Sequence, residues 1–284
     1  MANRSYLYSL DNQPAEYADR PRSCAGLSEW PYAVPFSFRL LASADARLSA
    51  SLLSDGLDDE PVPLYAINAD FDVGYARVQR FVAILREHIA QETMPAAAHT
   101  AAHTAAHAAA HASLHTGGLV ASLKRWFGTA APAQAPQAAP GAYDLLPGLL
   151  DETLAFLAQH RDRRVQLETI ELEIMSESDP DVLRARAEAE LALCVAAGQA
   201  LDALPADLRD AARVLREASA TRTAGPLEAF HGLRLDDDCD NTRDRSTEYP
   251  LGLYWTDVLY FEPSLREDAS GATASPDAPR GSPA

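Results

Sequence analysis

The alternation of hydrophobic and polar positions in the first ninety residues predicts a small α+β unit. Residues 4–11 alternate bulky apolar with polar groups, as a strand does, and residues 63–71 give a second strand. Between them, an aromatic-rich segment punctuated by prolines enters a short helix near Phe36. Residues 72–90 then predict a helix with one face on the sheet, because their apolar side chains recur at helical spacing: Val78, Phe81, Val82, Leu85 and Ile89.

The second half of the chain has a helical pattern that gives way to strand-like residues near its end. Four segments carry charged residues along one side, and prolines 180 and 205 mark two of the joints; the segments are 144–160, 163–178, 179–204 and 205–219. Residues 251–263, LGLYWTDVLYFEP, are aromatic and β-branched and predict a buried strand or a strand and turn. Because aromatic residues are concentrated at the two ends of the chain, we expect this strand to return to the N-terminal unit.

These patterns predict an α+β fold with a small sheet formed by the N-terminal strands and the C-terminal strand, a helical array and a low-complexity insertion. The expected parts are an N-terminal α+β part at 1–92, a His/Ala-rich insertion with a Pro/Ala linker at 93–142, a helical part at 143–222, a polar loop and closing strand at 223–263, and a disordered tail at 264–284.

Charge and cysteine content exclude several classes of function. The 284 residues carry a net charge of −17, so no overall basic field attracts nucleic acid or anionic lipid, and the expected partner is a protein, basic in charge, or a small molecule. Three cysteines without a C-x-x-C pair predict neither disulfides nor a cysteine zinc site. No segment resembles a signal peptide or a membrane span, which favours the cytoplasm. No cofactor is predicted.

Five histidines recur at every fourth position of an alanine-rich stretch: His99, His103, His107, His111 and His115. On a helix each lags the previous one by about 40°, so a single ion cannot use all five, although adjacent pairs could chelate Zn²⁺, Ni²⁺ or Cu²⁺. The same string is what a short tandem duplication produces. We therefore favour a solvated repeat whose metal binding is adventitious.

Two acidic patterns resemble metal sites but lack essential ligands. Asp236, Asp238 and Asp240 match the first positions of a calcium loop, yet Asn241 replaces its glycine and Thr247 its bidentate glutamate, which favours a solvated turn. Glutamates 168 and 171 have the spacing of di-metal carboxylate bundles without the E-x-x-H partners. Apolar residues alternate with them, so this segment predicts a buried stripe flanked by solvated acids.

The two ends of the chain carry the remaining polar and aromatic candidates. They either fill a core with satisfied hydroxyl and indole groups, which we favour, or form a binding surface or pocket; they are Tyr6, Tyr8, Asp11, Glu29, Trp30, Tyr254, Trp255 and Asp257. No Gly-x-Ser-x-Gly elbow, phosphate-binding glycine loop or H-E-x-x-H motif occurs, and no catalytic residue is predicted.

Three stretches, at residues 1–11, 26–43 and 251–263, resemble the signature segments of a family of uncharacterised bacterial cytoplasmic proteins, a domain of unknown function. The resemblance implies no activity. The leading hypothesis is a non-enzymatic protein-interaction protein, for example an immunity or accessory protein. One alternative is a small-molecule-binding protein or a hydrolytic enzyme that uses Asp11, Glu29 or Asp257, and another is metal binding by the histidine repeat.

Overall fold

A five-stranded antiparallel sheet forms the centre of the protein. The computed structural model describes residues 3–57, 60–112, 142–237 and 249–266, with 94–112 described by their backbone alone. The strand order is β2-β1-β7-β6-β3, and β4 and β5 pair separately as a small hairpin. The strands are β1 (Arg4–Leu10), β2 (Cys24–Pro31), β3 (Arg47–Ala50), β4 (Gly56–Leu57), β5 (Glu60–Pro61), β6 (Tyr65–Asp70) and β7 (Arg164–Glu168).

Six α-helices occur in the described part of the chain, and together with the sheet they confirm the predicted α+β class. They are α1 (Phe36–Leu41), α2 (Phe71–Ala112), α3 (Leu146–Gln159), α4 (Ile170–Glu173), α5 (Pro180–Asp202) and α6 (Leu208–Ala220). None of these helices combines the length and the apolar character that crossing a membrane requires.

The main hydrophobic core lies between one face of the sheet and the helices. Leu7, Leu167 and Ile67 stand opposite one another on β1, β7 and β6, and all three are fully buried in this core. The predicted apolar face of α2 packs here, because Val78 and Leu85 are buried among the same residues. The helix interpretation of residues 72–90 is therefore confirmed.

Irregular segments cover the opposite face of the sheet. Tyr6, Tyr8 and Leu10 of β1 point to this side and form a second buried cluster with Leu52 and Leu259. Leu52 belongs to the loop between β3 and β6, and Leu259 belongs to residues 253–266, which we call the strap. Both faces of β1 are thus buried, one by helices and one by loops.

Two predicted elements differ in the structure. Residues 163–178 were expected to be helical, but they contain β7, which pairs with β1 and β6 at the centre of the sheet. The expected C-terminal strand is absent from the described residues, since the strap has no strand conformation. The first difference arises because β7 pairs with strands that are distant in sequence, which local periodicity does not report.

Candidate functional site

The strap is joined to β1 and β2 by hydrogen bonds between distant parts of the chain. The Thr256 amide donates to the Leu27 carbonyl at 3.0 Å. The Tyr8 hydroxyl donates to the Phe261 carbonyl at 2.8 Å. The strap therefore pairs one backbone carbonyl of the edge strand β2 and reaches over β1.

Trp255 fastens the beginning of the strap to the helical layer. Its indole N–H donates to Thr153 Oγ1 of α3 at 2.8 Å. Its ring lies 6.2 Å from that of Phe38 and 6.3 Å from that of Phe156, between centroids. The side chain is half-buried, and its aromatic contacts with α1 and α3 fix where the strap starts.

Gly26 of β2 is the point of closest approach between strand and strap. A Cβ atom built at this position would lie 2.8 Å from the Asp257 carbonyl oxygen and 2.8 Å from Leu259 Cγ. Any larger residue must displace the strap backbone.

Replacing Gly26 by alanine is expected to move the strap and to reduce the free energy of unfolding by about 1–3 kcal/mol, the usual cost of overpacking. Amide chemical shifts of residues 256–260 report the displacement, and urea unfolding reports the loss of stability. Strap shifts identical to those of the parent protein would contradict this close approach.

A cavity of about 340 Å³ opens where β1, β2, α3 and the strap meet, and we call it the junction cavity. Elements far apart in sequence contribute to it, so it exists only in the folded chain. Its lining residues are Tyr8, Cys24, Ala25, Gly26, His160, Asp257, Leu259, Glu262, Pro263 and Leu265. Carboxylates, an imidazole and a thiol thus converge beside an apolar wall, a combination typical of ligand sites.

His160 is held in one orientation at the end of α3. Its ring stacks on Phe156 with centroids 4.0 Å apart, and its Nδ1 donates to the Phe156 carbonyl at 2.9 Å. In the neutral ring this leaves Nε2 as the acceptor, 3.9 Å from Asp257 Oδ2. The Nε2 edge of the imidazole therefore faces the carboxylate.

Cys24 lies in a negative and partly buried environment. Burial is the largest of the causes that together raise the pKa of its thiol to about 12, and the nearby carboxylates of Glu168, Asp11, Asp162 and Glu262 are the others. The thiol is consequently protonated at neutral pH. Since the thiolate is the nucleophilic form, this cysteine is not activated for covalent chemistry.

Three of the predicted aromatic candidates are buried. Tyr6 donates its hydroxyl to Glu171 Oε2 at 3.0 Å, and Trp30 belongs to the main core. Burial raises the pKa of the Tyr6 and Tyr8 hydroxyls well above its usual range. Within the predicted set, Tyr8 and Asp257 line the junction cavity.

The remaining predicted residues have structural partners around the cavity. Asp11 Oδ1 accepts the Arg22 amide at 2.9 Å. Glu29 forms an ion pair with Arg4 at 3.1 Å and accepts the Tyr260 amide at 2.7 Å. Tyr254 is half-buried, and its ring lies 4.8 Å from that of Tyr249. None of these residues lines the cavity.

The position of Glu168 shows that the expectation of solvated acids in residues 163–178 is wrong for this residue. Its carboxylate is fully buried on the loop-covered face of the sheet. It accepts hydrogen bonds from the Leu52 amide, from Gln166 Nε2 and from Ser51 Oγ, each at 2.8 Å. Three hydrogen-bond donors thus hold it, and burial raises its pKa.

The structure describes only some of the residues that were considered as metal ligands. His115, Asp238 and Asp240 lie outside the described residues, as do most of the predicted insertion and tail. The other four repeat histidines lie in the backbone of α2. Asp236 lies 3.3 Å from Arg234. Within the described part, no three histidine, cysteine or acidic side chains lie close enough to hold a metal ion.

Comparison with known proteins identifies one family. A family described as a domain of unknown function (DUF7822) matches residues 11–139, a range that includes the stretch at 26–43 and the histidine repeat. This match confirms the predicted resemblance to an uncharacterised family. The stretch at 251–263 lies outside the matched range. No curated protein and no solved structure matches the chain.

Proposed function

We propose that this protein is a protein-interaction module that binds a basic partner through the strap. The observation that carries the proposal is the exposure of large apolar side chains along an ordered segment: Val258 is 74% exposed, Tyr260 61% and Leu265 51%. Exposed apolar side chains that cluster on a protein surface mark interaction sites, and these three lie in one short segment of the chain. Hydrogen bonds and Trp255 hold the strap in place, so little conformational entropy is lost when a partner binds.

Charge supports a basic partner. The chain has a net charge of −17, and the strap places the exposed carboxylates of Asp257 and Glu262 among its apolar side chains. Apolar contacts supply affinity in such an interface, while complementary charge steers the encounter. The association rate is therefore expected to fall as the salt concentration rises.

The properties of the cavity favour binding over hydrolysis. A covalent mechanism at Cys24 would require a thiolate, and burial together with the nearby carboxylates raises the pKa of the thiol so that it stays protonated. Asp11 and Glu29, two acids of the hydrolytic alternative, already accept hydrogen bonds from backbone amides. Asp257 lines the cavity and is exposed, with its Oδ2 3.9 Å from His160 Nε2.

Site-specific photo-crosslinking in the native host tests this proposal. A benzophenone amino acid in place of Tyr260 is expected to trap a basic protein that the same group in place of Leu193, an exposed apolar residue of α5, does not trap. The trapped protein is then purified and its affinity is measured with the unmodified chain.

Removing the apolar contacts from the strap is expected to weaken that complex strongly. Val258→Ser combined with Tyr260→Ser should reduce affinity by about 30-fold, which corresponds to the roughly 2 kcal/mol of an interface hot spot. The control is Val73→Ser combined with Leu193→Ser, which removes two exposed apolar side chains from α2 and α5. Equal loss in both double variants, or none in the first, would contradict docking on the strap.

A further inference from the structure

We propose that the junction cavity is a socket for one cationic side chain, arginine or lysine, of the partner. This inference rests on the proposed function and assigns its charge selectivity to a defined site. The cavity combines a short apolar wall with carboxylates near its mouth, which is the arrangement that a long side chain with a charged end requires.

The strap supplies both parts of the socket. Leu259, Pro263 and Leu265 form apolar lining, against which the methylene groups of arginine or lysine can pack. Asp257 and Glu262 line the same cavity and are exposed, so they can accept hydrogen bonds from a cationic end group. The lining residues include no arginine or lysine, and the only basic group among them is His160.

The geometry favours an organic cation over a metal ion. A metal ion needs several donor atoms at short distances around one point, and no three histidine, cysteine or acidic side chains of the described residues are so placed. A guanidinium or ammonium group on an alkyl stem spreads its contacts over a longer site. A cavity of about 340 Å³ lies at the lower end of the volumes of small-ligand sites and has room for one such side chain.

Residues that surround the cavity reinforce its preference for positive charge. Asp11, Asp162 and Glu168 do not line it, yet all three lie near enough to Cys24 to act on its thiol in the same direction as Glu262. The field inside the cavity is therefore negative from several sides. A neutral or anionic group of the same shape has no comparable stabilisation.

Binding of n-butylguanidinium to the full chain tests the inference directly. We expect saturable shifts of the amides of Gly26, Leu259 and Leu265 in a heteronuclear NMR titration, with n-butylammonium acting in the same way. The neutral analogue n-butylurea, which has a similar shape, is expected to bind at least tenfold more weakly. Equal binding of the urea, or shifts located elsewhere in the chain, would overturn the proposal.

Charge-neutral variants identify the groups responsible. Asp257→Asn combined with Glu262→Gln should weaken butylguanidinium at least tenfold. The control pair, Asp144→Asn with Glu152→Gln, removes two exposed carboxylates that do not line the cavity and should leave binding unchanged. Full binding by the first pair would overturn the socket.

The two proposals fail in different experiments. If a trapped partner binds the Asp257→Asn, Glu262→Gln variant as tightly as the parent chain, the socket is wrong while docking on the strap stands. If the serine variants of Val258 and Tyr260 leave partner affinity unchanged but butylguanidinium still binds, docking on the apolar strap is wrong while the cation site stands.

Discussion

Replacing Gly74 by alanine is expected to lower the free energy of unfolding by about 3 kcal/mol, at the upper end of what overpacking usually costs. Gly74 is buried in the first turn of α2, where the helix crosses the end of α1. A Cβ at this position would lie 2.0 Å from the Leu41 carbonyl oxygen and 3.0 Å from its carbonyl carbon. Both atoms belong to backbone, so a side-chain rotation cannot relieve the clash and the two helices must separate.

Gly148 provides the matched control, because it is also a glycine near the start of a helix. A Cβ at Gly148 of α3 would meet no atom within 4 Å. Gly148→Ala should therefore raise stability by up to about 1 kcal/mol, the difference between glycine and alanine in a helix. Urea unfolding compares the two variants at constant m-value. Similar stabilities for both would show that α1 and α2 are not in this close contact.

The helices could be predicted from the sequence because their signals are local. The apolar spacing of residues 72–90 identified the buried face of α2, and Asp179 followed by Pro180 identified the start of α5. In the structure the Asp179 side chain accepts the Asp181 amide and caps that helix. Each of these signals depends on residues within one or two helical turns, so the tertiary fold has little opportunity to override them.

The strand β7 could not be predicted because its second face is polar and buried. Gln166 and Glu168 are polar, and in a sequence pattern such residues look like positions that face water. They are buried only because residues 49–53, more than a hundred positions away, cover them and supply hydrogen bonds. A pattern of hydrophobic residues cannot distinguish water from such partners.

Only part of the candidate site could be predicted, because its residues also come from distant segments of the chain. Aromatic content placed Tyr8 and Asp257 near the meeting of the two chain ends. Cys24, His160 and Glu262 were missed as lining residues, since no short motif contains them. The cavity brings the first two strands together with His160 and with the strap, and about 100 positions or more separate these three parts of the chain. The strap also resembled a strand in composition. It nevertheless follows a 3₁₀ turn in which Leu251 and Gly252 both have positive φ, and its described backbone does not form a ladder with β2.

The second large effect is expected at Glu168, the buried carboxylate beneath the loop between β3 and β6. Glu168→Leu should cost at least about 3 kcal/mol, because the buried donors of Leu52, Ser51 and Gln166 lose their acceptor. Glu168→Gln keeps an acceptor for the Leu52 amide, and its new amide group can donate to Ser51 Oγ once that hydroxyl rotates. The glutamine variant therefore separates the role of charge from the role of hydrogen bonding.

The glutamine variant is expected to gain stability relative to the parent protein as pH rises. Burial raises the pKa of Glu168 in the folded state above its ordinary value of 4.5, so folding favours the protonated carboxyl. The corresponding stability is fully present below the unfolded pKa and is lost as pH rises through the folded pKa. Glutamine carries no such penalty. Urea unfolding of both proteins at several pH values between about 4 and neutrality measures this trend. The difference in free energy of unfolding between the two proteins should change with pH because of the raised pKa of Glu168.

Glu177 supplies a control with the opposite sign. It is a half-buried acid whose pKa is lowered because it accepts hydrogen bonds from the amides of Asp179 and Ser178. Its contribution to stability is present above the unfolded pKa and is lost as pH falls, so Glu177→Gln should become less stable than the parent protein as pH rises. If Glu168→Gln follows the same direction as Glu177→Gln, folding lowers the pKa of Glu168, because its three hydrogen-bond donors outweigh the cost of burying the charge.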